Sequence, residues 1–228
     1  MSQPLLVLVH GWGLGPGAFR PLLGQLGRPF HHSLDLGFYG RPRLDIPKDR
    51  PLIAIGHSLG FMWLLQHLPT ALWADQIQGL VAINSSTRFC RGFGFASGVH
   101  PNLVRRMKSG LLQDPSRVIN DFRVSSGGPS GDFLTQTAKD NLDVAALDRG
   151  LDWLMEWDGR RTFSQWERPF LALANRDDTI VTPAMTEASF ASDQARNLHW
   201  IEGGGHLAML TRPEPFGVLL NEWLRDWA

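Results

Sequence analysis

The sequence has little of what marks several large classes of protein. Cys90 is the single cysteine, so the chain can form neither an internal disulfide nor a thiolate zinc site, which suits a reducing cytoplasm. Lys plus Arg total 22 and Asp plus Glu total 22, for a formal net charge of +0, whereas a general nucleic-acid binder needs a basic excess. No apolar run reaches the ~18 residues of a membrane span. We therefore expect a cytoplasmic protein that has neither nucleic acid nor a membrane as a partner.

What the chain does contain suits one globular domain with a sizeable core. It has 228 residues, of which 43% are hydrophobic and 10% aromatic, and this apolar content is enough to offset the entropy lost on ordering the chain. The first residues, Met1 to Pro4, carry no Lys or Arg ahead of the short apolar run that follows, so they do not resemble a signal peptide. We expect the protein to be a monomer.

Short apolar runs alternate along the chain with segments of helical spacing. A run such as Leu5–Val9, bounded by Pro4 and Gly11, is typical of a strand buried on both faces. The alternation predicts an α/β fold with a mostly parallel central sheet flanked by helices. The expected strands lie at residues 5–9, 32–36, 51–55, 80–83, 169–174 and 198–201, and the expected helices at residues 18–26, 61–68, 184–190 and 213–227.

The alternation stops between residues 85 and 167, where no convincing strand run occurs. Asp114 followed by Pro115 has the pattern of a helix N-cap with proline at the first helical position. Leucines recur at helical spacing toward the end of the same stretch. We therefore predict a helical lid at residues 85–167, inserted into a core formed by residues 1–84 and 168–228.

A candidate nucleophile lies between the third predicted strand and the helix that follows it. Residues 56–60 read G-H-S-L-G, a G-x-S-x-G pattern. In this context the pattern predicts a tight strand-to-helix turn that holds the hydroxyl of Ser58 above the sheet, with glycines where side chains would collide. The alternative is a glycine-rich turn with an idle serine.

A serine hydroxyl becomes a good nucleophile only beside a base, and the base needs an acid that orients it. Among the eight histidines, His206 follows a glycine triplet beyond the last predicted strand, where a flexible loop can carry its imidazole over the edge of the sheet. The alternative is a solvated loop histidine. The acid should follow the strand that ends near residue 174. Asp178 is favoured there by its place in a D-x-I-V-x-P run, and Asp177 is the alternative.

Two backbone N–H groups are candidates for stabilising the oxygen that becomes negative in the tetrahedral intermediate formed when a carbonyl group is attacked. One belongs to Trp12, in the H-G-W-G run after the first strand, and the other to Leu59, directly after the candidate nucleophile. The alternative for Trp12 is a core tryptophan beside an ordinary loop.

We expect no metal and no cofactor. His31, His32 and Asp35 lack the spacing of a zinc or di-iron site. The glycine-rich residues 11–17 lack both the Lys-Ser/Thr of a phosphate-binding loop and the G-x-G-x-x-G pattern of dinucleotide-binding proteins. Any chemistry is therefore expected to use protein groups and water.

With these motifs, the chain resembles the α/β-hydrolase family over nearly its whole length. Residues 8–14, L-V-H-G-W-G-L, are similar to the esterases that cleave the methyl ester of pimeloyl-acyl-carrier protein in biotin synthesis, and so are residues 82–85 and 176–183. The resemblance implies a serine carboxylesterase that uses a Ser-His-Asp triad, with acyl-carrier protein as the carrier of its substrate.

The chain departs from this family in the connection before the nucleophile strand. Ten residues separate Gly40 from Pro51, too few for the helix that most members place there. Phe61 stands where a second glycine is common. Neither departure removes a catalytic group, and we expect a core that lacks this helix.

Charge divides the predicted lid into two parts. Residues 88–123 hold seven basic and two acidic residues, a net charge of +5, and residues 124–167 hold four basic and eight acidic residues, a net charge of −4. A basic part can steer an acidic carrier protein toward the site, and the alternative is that the two parts pair with each other. The candidate docking residues are Arg105, Arg106, Lys108, Arg117 and Arg123.

An acyl substrate also needs an apolar channel. The apolar residues of the predicted lid that we expect to line it are Phe93, Phe95, Leu111, Leu112 and Trp153.

Other functions fit the same motifs. A general small-ester hydrolase, a thioesterase, an acyltransferase or a proton-abstracting lyase would keep the triad and change the chemistry. A ligand-binding protein on a hydrolase scaffold would keep the fold and lose catalysis.

Overall fold

The computed structural model of the protein describes residues 3–27, 31–128, 141–190 and 197–227. Within them, six strands form a sheet whose neighbouring strands are all parallel. The strands are β1 (Leu5–Val9), β2 (His31–Ser33), β3 (Leu52–His57), β4 (Ile77–Ile83), β5 (Phe170–Asn175) and β6 (Leu198–Ile201). Their order across the sheet is β2-β1-β3-β4-β5-β6.

Helices flank this sheet, which confirms the predicted α/β fold. In the described part of the chain, no helix is both long enough and apolar enough to cross a membrane. The helices are α1 (Arg20–Leu23), α2 (Leu59–His67), α3 (Pro101–Leu111), α4 (Pro115–Ser125), α5 (Val144–Glu156), α6 (Arg160–Ser164), α7 (Pro183–Phe190), α8 (Ala208–Thr211) and α9 (Pro213–Trp223). Single turns of 3-10 helix lie at Pro16–Phe19, Ala74–Gln76, Gly205–Leu207 and Leu224–Trp227.

The two faces of the sheet build two hydrophobic clusters, because successive residues of a strand point to opposite faces. Val7 and Val9 of β1 join a cluster that includes residues of α2, α3 and α5. Leu6 and Leu8 join a cluster with residues of α1, α8 and α9. Burying side chains of this size stabilises the fold by about 1.5–3 kcal/mol each. This two-sided burial is why the strands read as continuous apolar runs.

The register of the sheet brings the carboxyl ends of its central strands to one level. Val9 of β1 lies opposite Gly56 of β3, and His57 of β3 lies opposite Ile83 of β4. Open parallel sheets bind their ligands just beyond the carboxyl ends of the strands. The loops that follow β1, β3, β4, β5 and β6 are therefore where a site is expected.

Residues 85–167 join β4 to β5 and, where described, contribute α3 to α6 but no strand to the sheet. Helix α3 packs against both α4 and α5. The side chain of Asp114 accepts the backbone N–H of Arg117 at the start of α4, with Pro115 as the first helical residue. The predicted N-cap at Asp114 is confirmed.

Two predicted elements are shorter in the structure. The second strand is expected at residues 32–36, but β2 ends at Ser33, and Gly37 then turns the chain with a φ of 85°. The helix expected at residues 18–26 is a 3-10 turn followed by the short α1, which ends at Leu23 and is followed by Gly24. Glycine disfavours continuing a helix by about 1 kcal/mol relative to alanine.

The connection from β2 to β3 has no helix, as the ten-residue spacing predicts. Residues 40–51 form turns and irregular backbone, tied to the preceding loop by an antiparallel bridge between Asp35 and Arg43. The connection from β2 to β3 is therefore a loop that contains no helix.

Candidate active site

Ser58 lies on a strained turn between β3 and α2. Its φ is 52°, a left-handed value that is uncommon for a residue with a Cβ. A Cβ added to Gly56 would lie 2.3 Å from the backbone N of Phe61, and one added to Gly60 would lie 1.9 Å from the carbonyl oxygen of Val9. The two glycines of the G-x-S-x-G pattern are therefore required by close backbone approach, and the turn lifts the hydroxyl of Ser58 beyond the sheet.

His206 contacts both other predicted triad members. Its Nε2 lies 2.9 Å from Oγ of Ser58, and its Nδ1 lies 2.7 Å from Oδ2 of Asp178. A carboxylate can only accept, so the proton of the neutral ring belongs on Nδ1, which leaves Nε2 to accept the hydroxyl of Ser58. The exposed fraction is 7% for Ser58, 3% for Asp178 and 0% for His206.

The two candidate acids have different partners. Oδ1 of Asp178 accepts the backbone N–H groups of Ile180 and Val181, at 2.8 and 2.9 Å, which leaves Oδ2 for the imidazole. Oδ2 of Asp177 instead accepts the backbone N–H of Gly205 at 3.1 Å. The structure therefore brings Asp178 to the ring, and Asp177 to the loop that carries it.

A second set of polar groups holds the loop that carries His206. The amide nitrogen of Asn84, just beyond β4, donates to the carbonyl oxygens of His206 and Gly205 at 2.9 and 3.1 Å. The amide of Asn175, at the end of β5, donates to the carbonyl of Gly203 at 2.8 Å. The three glycines before His206 have φ values of 76°, 98° and 63°, so the polar groups hold a loop that would otherwise have wide conformational freedom.

His57 is a further partner of this loop that sequence reasoning missed. Its Nε2 lies 3.1 Å from the carbonyl oxygen of His206, and its ring centre lies 5.0 Å from that of His206. Desolvation by burial, together with the charge that His206 can carry, lowers the pKa of His57 from about 6.5 to about 3. His57 is therefore neutral and donates from Nε2. His57, Asn84 and Asn175 could have been identified from the sequence as polar residues at the carboxyl ends of the apolar runs that predict β3, β4 and β5.

The two candidate oxyanion donors have no acceptor among the described residues. The backbone N–H groups of Trp12 and Leu59 make no hydrogen bond there. A Cβ added to Gly11 would lie 3.1 Å from Cβ of Ser58, so the loop of Trp12 runs directly beside the nucleophile turn. The indole of Trp12 is buried and donates from Nε1 to the carbonyl of Leu147 in α5 at 2.9 Å. The side chain of Trp12 is thus bound to α5, while its backbone N–H lies beside the nucleophile turn with no acceptor among the described residues.

A cavity of about 620 Å³ lies between α3, α4 and the loop after β5. It does not contain the three triad residues, but it includes Thr179 and Ile180, directly after Asp178. Phe122 borders the cavity, and its ring lies 5.1 Å from that of Trp12 and 6.3 Å from that of His206. The other apolar side chains around the cavity are those of Phe89, Val99, Leu103, Val104, Met107 and Val118.

The five residues expected to line an acyl channel do not border this cavity. Phe93 is 98% exposed and Leu112 is 83% exposed. Phe95 and Leu111 are buried in the hydrophobic core, and Trp153 stacks on Trp157 at 4.8 Å. None of the five side chains therefore contacts the cavity, because a position on a turn or a helix does not by itself determine which way an apolar side chain faces.

The candidate docking residues are placed differently from one another. Arg105, Arg106 and Arg117 are exposed. Lys108 forms ion pairs with Asp148, at 3.2 Å, and with Asp152, so the basic and acidic parts do pair at this point. Arg123 is half-buried and turns inward to the loop after β1. Three charged residues of the acidic part lie outside the described residues, namely Asp132, Lys139 and Asp140.

His10 has a structural set of contacts. Its Nε2 accepts the backbone N–H of Leu36 at 3.0 Å, and its Nδ1 donates to the carbonyl of Gly11 at 2.9 Å. In the described part of the chain, no three His, Cys, Asp or Glu side chains are arranged to hold a metal ion.

Known proteins are similar to this chain over nearly its whole length. A model of the alpha/beta hydrolase family matches residues 6–217. The pimeloyl-[acyl-carrier protein] methyl ester esterase of Xanthomonas axonopodis pv. citri (strain 306) is 30% identical over 243 residues, covering 97% of this chain and 95% of the relative. The protein of that name from Xylella fastidiosa (strain M23) is 27% identical over 247 residues, with the same coverage of 97% and 95%.

Solved structures agree in fold at lower sequence identity. An esterase (EaEST) from Exiguobacterium antarcticum has a TM-score of 0.78 and 16% identity, covering 98% of this chain and 92% of that one. A bromoperoxidase from Bacillus anthracis has a TM-score of 0.75 and 18% identity, covering 99% and 93%.

A parallel sheet with serine, histidine and aspartate side chains in contact beyond the carboxyl ends of its strands is typical of the α/β-hydrolases. The chain belongs to the α/β-hydrolase family. It is a hydrolase that acts on esters.

Proposed function

We propose that the protein hydrolyses the methyl ester of a pimeloyl group carried on acyl-carrier protein, a step of biotin synthesis, in the cytoplasm. The observation that carries the proposal is the hydrogen-bonded series Ser58, His206 and Asp178, beside two N–H groups that have no acceptor among the described residues. The substrate is supported by the relative named for this activity, at 30% identity over 97% of the chain.

Ser58 is the nucleophile in this proposal. As its Oγ attacks the ester carbonyl carbon, Nε2 of His206 takes the hydroxyl proton, and the ring becomes a cation. Asp178 holds the Nδ1 proton and stabilises this cation from 2.7 Å. Because Asp178 already accepts two backbone N–H groups through its other oxygen, its carboxylate is held in place throughout.

The backbone N–H groups of Trp12 and Leu59 bind the oxygen that becomes negative in the tetrahedral intermediate. Removing one donor of this kind raises the barrier by about 3 kcal/mol. His206 then returns its proton to the leaving methanol oxygen, and the acyl group stays on Ser58. A water molecule deprotonated by His206 attacks this acyl-enzyme, and His206 gives that proton to the departing Oγ of Ser58 as the free acid is released on its carrier.

Residues 85–167 act as a lid over this site. Ser58 and His206 are almost fully buried, so an ester reaches them when part of the lid moves. Phe122 of α4 lies between the triad and the cavity, because its ring neighbours His206 and also borders the cavity. The apolar acyl chain occupies the cavity, and Phe122 shifts to connect it with Ser58.

Arg105, Arg106 and Arg117 form the docking surface for the acidic carrier protein. All three are exposed, and Arg106 and Arg117 stand at the border of the cavity. Opposite charge on two partners raises their encounter rate more than their affinity and weakens with salt. Carrier docking at this border directs the attached acyl group toward the cavity.

The test of the proposed reaction is an intact-mass assay with methyl-pimeloyl-acyl-carrier protein. We expect the parent protein to convert the methyl ester to the acid and Ser58→Ala to leave it intact while unfolding at the same denaturant concentration as the parent. Retained turnover in Ser58→Ala would remove Ser58 as the nucleophile. A parent that cleaves p-nitrophenyl acetate but leaves the carrier-protein ester intact would contradict the substrate and keep the esterase.

The docking surface has its own test. We expect Arg106→Glu combined with Arg117→Glu to lower kcat/KM on the carrier-protein ester by about 10-fold at low salt, with a smaller loss at high salt. The matched control is Lys48→Glu combined with Arg50→Glu, which changes the net charge by the same amount, because both residues are exposed and precede β3 at the amino ends of the strands. Equal losses in the two variants would show that overall charge, rather than this surface, sets the rate.

A further inference from the structure

The carbonyl oxygen of Gly13 receives two side-chain donors. The hydroxyl of Tyr39 donates to it at 2.8 Å, and Nη2 of Arg123 donates to it at 3.1 Å. The same Nη2 lies 3.0 Å from the hydroxyl of Tyr39, so the three groups form a closed triangle. Gly13 directly follows Trp12 in the chain, and its φ is 63°.

The triangle connects distant parts of the chain. Gly13 belongs to the loop after β1, Tyr39 to the loop after β2, and Arg123 to the last turn of α4. The guanidinium of Arg123 also lies 6.0 Å from the ring centre of Tyr39, and its Nε is buried with no acceptor among the described residues. Burial raises the pKa of Tyr39 despite the neighbouring guanidinium, so its hydroxyl stays protonated and able to donate.

The loop after β1 is also held by α4 and α5 at Trp12, the residue before Gly13. The indole of Trp12 donates to the carbonyl of Leu147 in α5, and its ring packs edge-on against Phe122 in α4. Trp12 and Gly13 are therefore anchored to α4 and α5 by side-chain contacts, while the N–H of Trp12 makes no hydrogen bond within the described residues. An N–H that must receive a developing negative charge works best when its direction is set beforehand.

We propose that Arg123 and Tyr39 are positioning residues for ester hydrolysis, which fix the Gly13 carbonyl and thereby the direction of the Trp12 N–H. The inference rests on the part of the proposed function that makes this N–H an oxyanion donor. It does not depend on the identity of the acyl group or on the carrier protein. Because Arg123 comes from α4, the oxyanion site is complete when α4 lies against the loop after β1.

This role separates Arg123 from the exposed arginines of the docking surface. A guanidinium that meets a carrier protein points to solvent, whereas that of Arg123 points to Gly13 and Tyr39. A docking residue affects the carrier-protein substrate. A positioning residue affects every ester that forms the same tetrahedral intermediate, including those with no carrier.

The experiment measures hydrolysis of p-nitrophenyl acetate, which has no carrier, by Arg123→Met and Tyr39→Phe. We expect kcat to fall by about 10- to 100-fold in Arg123→Met and by a smaller factor in Tyr39→Phe, with KM changed by less than about threefold, because small misplacement of a donor acts on the transition state. Binding of a trifluoromethyl ketone, whose adduct with Ser58 carries an oxyanion, should weaken by the same factor as kcat/KM. Arg123→Lys should recover part of the rate, because an ammonium can also donate to the Gly13 carbonyl.

The matched control is Arg149→Met, an exposed arginine of α5 in the same segment, which should keep the parent rate. Full kcat on p-nitrophenyl acetate in Arg123→Met would overturn the inference, as would a loss confined to the carrier-protein ester. If the parent cleaves p-nitrophenyl acetate and not the carrier-protein ester, the proposed substrate fails while the inference is still decided by the same variants. A parent inactive on both esters would overturn both proposals.

Discussion

The side-chain amide of Asn84 donates to the backbone carbonyl of His206, with 2.9 Å between the two atoms. Asn84 follows β4 with a φ of 43°, a conformation that asparagine tolerates better than most residues. Its Oδ1 accepts the backbone N–H of Asn175 at 3.0 Å. One buried side chain therefore joins the ends of β4 and β5 to the loop that carries the histidine, and it fixes the height of that loop above the sheet.

Replacing this amide should reduce both stability and turnover. In Asn84→Ala, the N–H of Asn175 loses its buried acceptor, while the carbonyls of His206 and Gly205 keep the N–H groups of His57 and Ala208. A buried group left unsatisfied costs about 1–3 kcal/mol. We expect urea unfolding at a lower midpoint and a kcat lowered by about 10-fold, because the imidazole loses its fixed distance to Ser58.

The control for this variant is Asn221→Ala. Asn221 also donates its amide to a backbone carbonyl, that of Gln25, at 2.8 Å, but it lies on α9, away from the carboxyl ends of the strands. It should lose some stability and keep kcat. If Asn84→Ala keeps the parent kcat, the amide does not position His206.

His57 should make the stability of the protein depend on pH. Its folded-state pKa of about 3 lies below the value of about 6.5 for a solvated histidine, so the unfolded chain binds a proton that the folded protein does not. Above pH 6.5 both states are neutral at this ring and the full stability is present. As pH falls through 6.5 toward 3, we expect a loss of about 1.4 kcal/mol for each pH unit from this residue.

The variant that isolates this effect is His57→Gln, since glutamine cannot bind a proton and its amide can still donate to the carbonyl of His206. Urea unfolding at about pH 7.5 and about pH 5.5 should show a drop in the free energy of unfolding that is larger in the parent by about 1.4 kcal/mol. Every other titratable side chain is present in both proteins. The same drop in parent and variant would mean that His57 does not stay neutral in the fold.

The two adjacent aspartates should differ sharply in their effect on catalysis. In Asp178→Asn, the amide cannot hold a protonated Nδ1, so the ring of His206 is favoured in the wrong tautomer, and we expect kcat to fall by about 10⁴-fold. In Asp177→Asn, the remaining oxygen still accepts the N–H of Gly205, and kcat should change little. Both are checked by steady-state hydrolysis of p-nitrophenyl acetate. A larger loss in Asp177→Asn would reverse the assignment.

The fold could be predicted because its strands are buried on both faces. Every residue of β3 is buried, so its first four residues, 52–55, show as a continuous apolar run that leads into the glycines of the nucleophile turn. β2 was predicted less well because it lies at the edge and pairs through His31–Ser33 alone. Leu34 and Leu36 are buried beyond that strand, which explains why the apolar pattern extends past the hydrogen-bonded residues.

The site could be predicted where its chemistry is written in a local motif. Ser58 and His206 stand out through the glycines around them, and those glycines are needed for close approach or for positive φ values. Asn84 and Tyr39 have no such mark, because their roles arise from contacts such as that between Asn84 and His206, 122 residues apart in the chain. A hydrogen-bond partner so far away along the chain is determined by the packing of the sheet and not by the local sequence.

Gly60 is the residue of the nucleophile turn at which an added methyl group should lower the free energy of unfolding the most. In Gly60→Ala, the new Cβ would lie 1.9 Å from the carbonyl oxygen of Val9, so α2 or the end of β1 has to move. We expect the free energy of unfolding to fall by about 3 kcal/mol or more, measured by urea denaturation. Leu59 precedes Gly60, so the movement also displaces the proposed oxyanion donor and should lower kcat in the protein that still folds.

The matched substitution is Gly17→Ala, where an added Cβ meets nothing within 4 Å. Alanine restricts the unfolded chain there without a clash, and the stability should stay the same or rise by up to about 1 kcal/mol. Equal stability in the two variants would mean that α2 and β1 can separate at little cost. The difference between the two therefore measures how closely the nucleophile turn is pressed against the strand that precedes the oxyanion loop.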